Sequence, residues 1–184
     1  AAFAGTKFLR PAVSNKEGKF FYIHTGEDLN TVKHNLVKQG FIKGNGFELV
    51  SNVLKYKKPK PGRYKFKDRA SLMKLVRQLR SGDQAIVKIV IIKERTRELF
   101  SGKFGKGKKY DTEFDSLKMI SFLANNDSLK KFGLDTNTVM AVVMPLTYES
   151  KWNTTPGKVF QQFYTAHEKF WTPGRKAKAD SLGL

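Results

Sequence analysis

The chain has 184 residues, 40% of them hydrophobic, and no cysteine. This length suffices for one domain or two small ones with a buried core, and the lack of thiols excludes disulfides, thiolate metal sites and cysteine nucleophiles. Lys and Arg number 35 against 16 Asp and Glu, a net charge of +19 that favours polyanionic partners such as nucleic acid, anionic membranes or cell-wall polymers. No apolar run approaches the roughly 18 residues that span a bilayer.

Residues 1–18 lack a sustained hydrophobic period and are interpreted as an N-terminal extension. They do not form a signal peptide, because no basic segment precedes a continuous apolar core. A strand is predicted at residues 20–23, followed by a helix that Asp28 caps and Gly40 ends. A second helix around Phe47 and a strand at residues 63–66 complete the first part of the chain.

This order of strand, helix, helix and strand resembles a LysM-like module, which we assign to residues 19–82. LysM folds bind glycans that contain N-acetylglucosamine in the cleft between strand ends and helices, so the resemblance implies contact with such a glycan. The alternative is that two amphipathic helices simply cover a sheet. The basic segment KYKKPK at residues 55–60 is interpreted as a solvated turn whose lysines protect a sheet edge.

A helix capped by Asp68 or Ser71 and ended by Gly82 comes next, and then the strongest predicted strand, at residues 85–92. The segment 102–109 resembles a phosphate-binding loop, but no Ser or Thr follows its lysine and no strand leads into it, which argues against nucleotide binding. Thr112 and Asp115 fit a capping box that would open a further helix. The apolar run at residues 139–144 is predicted to be a buried strand that Pro145 closes.

A long amphipathic helix is predicted to start at Pro156, with Thr154 or Thr155 as its cap and with Phe160 and Phe163 buried. The order P-x-T-Y-E, then W-N-T, then this helix with its aromatic last turn resembles the YceG/MltG-like endolytic peptidoglycan transglycosylases. The resemblance extends from about Tyr22 to the C-terminus. Leu146 departs from the pattern, because much of the family has Asp or Asn there.

The resemblance implies a parent protein that cleaves nascent glycan strands to 1,6-anhydro ends at the periplasmic face of the inner membrane. It also implies an N-terminal membrane helix before this chain and a catalytic glutamate beyond Leu184. Such a reaction needs a carboxyl group that protonates the glycosidic oxygen from a partly apolar cleft. Glu149 is the nearest candidate within the chain, but the family pattern gives that position no catalytic role, so we assign no catalytic residue.

The three histidines are too scattered for a metal site, and we expect neither a metal nor a cofactor. Because sugar rings have apolar faces that stack on aromatic side chains, the predicted glycan-binding residues are Tyr148, Trp152 and Tyr164. Tyr148 and Trp152 are the two most expected to line a groove.

We therefore expect an α+β chain with a LysM-like subdomain at 19–82 and a second αβ subdomain at 83–184. Its expected role is glycan binding and positioning rather than catalysis, with peptidoglycan strands, the cell-wall synthesis machinery and anionic membrane surfaces as partners. Nucleic acid is disfavoured as a partner. Two other hypotheses remain open: a basic nucleic-acid-binding module, and a structural interaction domain that the charge attracts to anionic lipids.

Overall fold

The computed structural model describes residues 10–183 and has the α+β fold class that the sequence predicts. The described residues divide into two compact units: the first comprises residues 10–86 together with residues 151–153, and the second comprises residues 87–150 and 154–183. Residues 1–9, half of the predicted N-terminal extension, lie outside the described residues.

The first unit contains an antiparallel strand pair in which Phe21 lies opposite Tyr64 and Ile23 lies opposite Gly62. Two helices stand between these strands in sequence, in the predicted order, and a third helix follows. The elements are β1 (Phe21–Ile23), α1 (Leu29–Lys38), α2 (Gly46–Val53), β2 (Gly62–Tyr64) and α3 (Leu72–Ser81).

Local hydrogen bonds set the ends of these helices. The carboxylate of Asp28 accepts the N–H of Thr31 at the start of α1, and the hydroxyl of Ser71 accepts the N–H of Lys74 at the start of α3. Gly82 ends α3 in the left-handed conformation, with a φ of +76°. The apolar faces of the three helices and both strands share one core, whose largest side chains are Phe21, Phe41, Phe47, Tyr56, Tyr64 and Phe66.

The second unit contains a second antiparallel pair, in which Val87 lies opposite Ser150 and Val90 opposite Thr147. Phe160 and Phe163 are fully buried, as predicted. The elements are β3 (Val87–Val90), α4 (Arg97–Ser101), α5 (Ser116–Leu123), α6 (Asn126–Lys130), a 3₁₀ helix (Val139–Val142), β4 (Thr147–Ser150), α7 (Pro156–Phe170) and α8 (Pro173–Ser181).

The strand predicted at residues 139–144 is wrong, because the chain forms a 3₁₀ helix at Val139–Val142. Asp135 accounts for the difference: its carboxylate accepts the N–H groups of Asn137 and Thr138, and its carbonyl accepts the N–H of Val139. These bonds, the Thr138 backbone bond foremost, hold the pKa of Asp135 below its usual value. They turn the backbone just before the apolar run, so helical geometry continues into it.

The capping box predicted at Thr112 is also wrong. Asp115 caps α5 by accepting the N–H of Lys118, while the hydroxyl of the buried Thr112 donates to the carbonyl of Phe114. Phe114 is itself buried, so packing holds residues 112–114 in an extended segment before the helix. Within residues 10–183, no helix is both long enough and apolar enough to cross a bilayer.

Candidate functional site

Antiparallel pairing brings two loops of the first unit to the same end of the β1–β2 pair. The chain leaves β1 at Ile23 directly opposite Gly62, where it enters β2. The loop after β1, residues 24–28, and the loop before β2, residues 54–61, therefore meet at one edge. We call these two loops the loop edge.

Trp152 packs beside the loop edge, although it lies between β4 and α7 in sequence. Its ring centroid is 5.2 Å from that of Tyr22 and 5.1 Å from that of His24. The side chain is only 3% exposed, and its indole N–H has no acceptor among the described residues. Trp152 therefore belongs to the packing of the first unit, and its ring faces are covered by protein.

The side chain of Gln84 connects residues 151–153 to the start of β2. Its amide oxygen accepts the backbone N–H of Trp152 at 3.2 Å, and its amide nitrogen donates to the Asn153 side chain at 3.1 Å and to the Pro61 carbonyl at 3.4 Å. The Gln84 amide lies against Gly62, where a Cβ would come within 2.8 Å of it. A larger residue at position 62 would displace this amide and the bonds it makes.

The loop edge is basic and contains one shielded carboxylate oxygen. Lys55, Lys57 and Lys58 are exposed, and the Lys60 amino group donates to the Ser81 carbonyl at 3.0 Å. The Oε2 atom of Glu27 is buried without a hydrogen-bond partner among residues 10–183. A buried carboxylate oxygen without a partner is unfavourable, so a ligand hydroxyl or amide that reached it would gain a hydrogen bond.

Two buried tyrosines belong to this region: Tyr56 lies within the basic loop, and Tyr64 lies in β2. Burial, with the Asp83 carboxylate as a second cause, raises the pKa of Tyr64 to about 12. Burial also raises the pKa of Tyr56, with Tyr64 as the second cause. Both phenols therefore stay neutral and act as packing groups rather than as acids or bases.

The three aromatic residues predicted to bind glycan do not form one cluster. Tyr148 and Tyr164 belong to the second unit, whereas Trp152 belongs to the first. Tyr148 is 7% exposed, its ring centroid lies 4.6 Å from that of Phe163, and its hydroxyl donates to the Met144 carbonyl at 3.3 Å. Tyr164 is half-buried, with its ring 5.1 Å from that of Phe132. Burial limits stacking on Tyr148 and Trp152, and Tyr164 is the most accessible of the three.

Glu149, the carboxylate weighed for acid catalysis, occupies an exposed position on β4 opposite Lys88. The Glu94 side chain is 3% exposed and forms an ion pair with Lys103. Neither carboxyl group stands unpaired in an apolar cleft, the environment that an acid catalyst needs. Among residues 10–183, no three His, Asp or Glu side chains converge as a metal site requires.

Sequence reasoning did not identify Tyr22, His24 and Glu27 as site residues. For Tyr22 the sequence did contain a signal, because successive side chains of a strand point to opposite faces. Phe21 and Ile23 are fully buried, so Tyr22 points to the other face. His24 and Glu27 carry no such signal. Their placement depends on the pairing of β1 with β2 and on the approach of Trp152.

Cavities of about 760, 330 and 240 Å³ open on the first unit. The 760 Å³ cavity lies at the end of the β1–β2 pair opposite the loop edge, between the segment after β2 and the start of α3. None of the three cavities is lined by Tyr148, Trp152 or Tyr164.

Comparison with known proteins places these observations in a family. A search of curated proteins found no match. The crystal structure of a yceG-like protein from Listeria monocytogenes superposes on 92% of this chain and on 60% of that one, with 14% sequence identity and a TM-score of 0.46. The chain thus spans 60% of the length of the Listeria chain. The model of the YceG-like family matches residues 21–184, and the chain therefore belongs to the YceG-like family.

Proposed function

We propose that this chain is the glycan-binding portion of a YceG/MltG-like endolytic transglycosylase, which cleaves nascent peptidoglycan strands to 1,6-anhydro ends. The chain binds and positions the strand, and the catalytic glutamate belongs to another part of the parent protein. That parent acts at the periplasmic face of the inner membrane, held by an N-terminal membrane helix. Its partners are peptidoglycan strands, the cell-wall synthesis machinery and the anionic membrane surface.

Membership of the YceG-like family and the architecture of the first unit support this proposal. The unit has the order β1, α1, α2, β2, and both connecting loops meet at the loop edge. We interpret it as a LysM-like module, a class that binds N-acetylglucosamine-containing glycans between its strand ends and helices. Because proteins of one fold bind different ligands, the glycan is inferred from the side chains of the loop edge.

The observation that carries the proposal is the shielded, unpaired Oε2 atom of Glu27 in the loop edge, which also contains His24 and the exposed Lys55, Lys57 and Lys58. Sugars combine apolar ring faces with hydroxyl and N-acetyl groups. Tyr22 is half-buried and His24 is exposed, so their rings can contact a sugar face. Glu27 can accept a hydroxyl or acetamido hydrogen bond, and the lysines can donate to sugar oxygens.

The experiment measures retention of the chain on nucleic-acid-free peptidoglycan in about 0.15 M salt, with double-stranded DNA as competitor. Titration with a peptide-free N-acetylglucosamine oligomer then gives the affinity for the glycan. Because a hydrogen bond to a charged group contributes about 1.5–3 kcal/mol, Glu27→Gln should weaken oligomer binding by about tenfold. Glu98→Gln, at an exposed position of α4, is the matched control and should leave the affinity unchanged.

Trp152 is unsuitable as a direct probe of binding, because its substitution would disturb the packing of the first unit. Loss of retention on addition of DNA would favour a polyanion-binding module over glycan recognition. Loss with salt alone would favour electrostatic attraction to anionic surfaces, and either result would overturn the proposal.

A further inference from the structure

We propose that the 760 Å³ cavity at the start of α3 binds the carboxylates of an acidic peptide, specifically the peptide that peptidoglycan carries on its muramic acid. This inference rests on the proposed function, because it takes peptidoglycan as the ligand, and it adds a second binding site for a different part of that polymer. The cavity lies at the end of the β1–β2 pair away from the loop edge, so the two sites use separate residues.

Three cations surround the cavity without anionic partners. Lys67, Arg69 and Lys74 all line it and are exposed, and they form no ion pair among the described residues. Asp68 is the one carboxylate in the wall, and its Oδ1 atom accepts the backbone N–H of Asn15 at 2.7 Å. The wall therefore keeps an excess of positive charge, which favours an anionic ligand.

The start of α3 adds donors to this wall. Ser71 accepts the N–H of Lys74, but the N–H groups of Leu72 and Met73 have no hydrogen-bond acceptor in the described part of the chain. Free N–H groups in the first turn of a helix, together with the helix dipole, favour negative charge. These groups reinforce the three side-chain cations that define the site.

Most of the remaining wall is apolar, with Gln78 as its polar residue, and an apolar surface favours a peptide over a bare phosphate. Phe66 and Leu75 are buried core residues whose surfaces close the cavity, and Ala70 lies between the cations. A volume of about 760 Å³ is within the usual 300–1,000 Å³ range for ligand pockets. A short peptide has both apolar side chains, which can contact the apolar part of the wall, and carboxylates, which can pair with the cations.

The test titrates the full chain with a synthetic N-acetylmuramyl peptide whose carboxylates are free, and with the same compound after amidation. We expect the free acid to bind about tenfold more tightly, since charge-assisted hydrogen bonds are about twice as strong as neutral ones. Combining Arg69→Gly with Lys74→Gln should abolish this difference. Arg77→Gln, an exposed cation of the same helix outside the cavity wall, is the matched control and should preserve it.

Arg69→Gly separates binding from folding. Arg69 has a φ of +58°, a conformation that glycine adopts without a steric penalty. The variant should therefore have an equal or higher melting temperature while losing affinity for the free acid. If Arg69→Gly lowers both the melting temperature and the affinity, Lys74→Gln becomes the deciding variant, because Lys74 is exposed and forms no ion pair among the described residues.

Equal binding of the free and amidated peptides would overturn the proposal. Equal weakening by Arg77→Gln would also overturn it, since that result indicates a diffuse field rather than a site. Displacement of the peptide by millimolar inorganic phosphate, or preferential binding to phosphatidylglycerol vesicles, would assign the cavity to phosphate instead. Binding of the peptide-free oligomer tests the proposed function separately, so failure of one proposal is distinguishable from failure of the other.

Discussion

Two tyrosine hydroxyls in the core of the first unit differ in their hydrogen bonding. The Tyr64 hydroxyl donates to the Lys60 carbonyl at 2.7 Å, whereas the Tyr56 hydroxyl is buried without a partner in the described part of the chain. A buried polar group without a partner destabilises the fold, so Tyr56→Phe should raise the free energy of unfolding by about 1 kcal/mol. Tyr64→Phe should lower it by about 1 kcal/mol, because a made bond is lost. Urea unfolding of both variants measures the difference.

The stability of the protein at alkaline pH provides a second test of the Tyr56 and Tyr64 hydroxyls. The folded state holds the Tyr64 proton up to a pKa of about 12, and burial raises the pKa of Tyr56 as well, while unfolded tyrosines lose theirs near pH 10. The contribution of these two neutral tyrosines to the free energy of unfolding is therefore fully present below about pH 10, and it is lost as pH rises towards 12. Tyr56→Phe should make this fall shallower. A loss of stability at neutral pH would show that the Tyr56 hydroxyl has a partner, and an equally steep fall would show that its pKa is not raised in the folded state.

At the scale of single elements, the start of α7 depends on one N-cap residue. The sequence predicted that this residue is either Thr154 or Thr155. Thr155 is the N-cap and accepts the N–H of Lys158, with Pro156 in the first turn. Loss of such a cap costs about 1 kcal/mol, so Thr155→Ala should lower the free energy of unfolding by that amount. Thr154→Ala is the matched control, with a change expected within about 0.5 kcal/mol.

Thr155→Ser should restore most of the stability, because serine caps as well as threonine does. Circular dichroism during urea unfolding measures all three variants. Equal losses for Thr154→Ala and Thr155→Ala would mean that the cap is shared, and no loss for either would mean that packing alone determines the start of α7.

At the scale of the whole molecule, Trp152 is distant in sequence from the unit that it stabilises. Its contacts with Tyr22 and its backbone bond to Gln84 are both made within the first unit. Because removal of a buried tryptophan side chain costs about 3–5 kcal/mol, Trp152→Ala should destabilise that unit by a similar amount. Hydrogen exchange at the backbone amides of β1 and β2 should become faster.

Trp171→Ala supplies the control for this prediction. Trp171 is half-buried at the end of α7 in the second unit, so its loss should leave exchange in β1 and β2 unchanged. The assignment of residues 151–153 to the first unit would be wrong if Trp152→Ala accelerated exchange only in the second unit.

Much of the fold was predictable because helix ends depend on nearby residues. Asp28, Ser71 and Thr155, all predicted as possible caps, each accept a backbone N–H three residues ahead, so the signal for a cap lies within one turn. The α+β class, the order of elements in the first unit and the family resemblance depend on such patterns. The 3₁₀ helix at Val139–Val142 was missed because a short apolar run suits either a strand or a helix.

By itself, the sequence determined the composition, the charge, a few candidates for the caps of α1, α3 and α7, and the family. Tertiary structure decided which aromatic rings are covered, because burial depends on side chains that arrive from distant positions. The Gln84 amide reaches Trp152 across 68 residues and Asn153 across 69, which brings the W-N dipeptide into the first unit. The pairing of β1 with β2 likewise assembled the loop edge from two separate loops, which no local pattern encodes, whereas the cavity at the start of α3 is lined by the contiguous stretch 66–78.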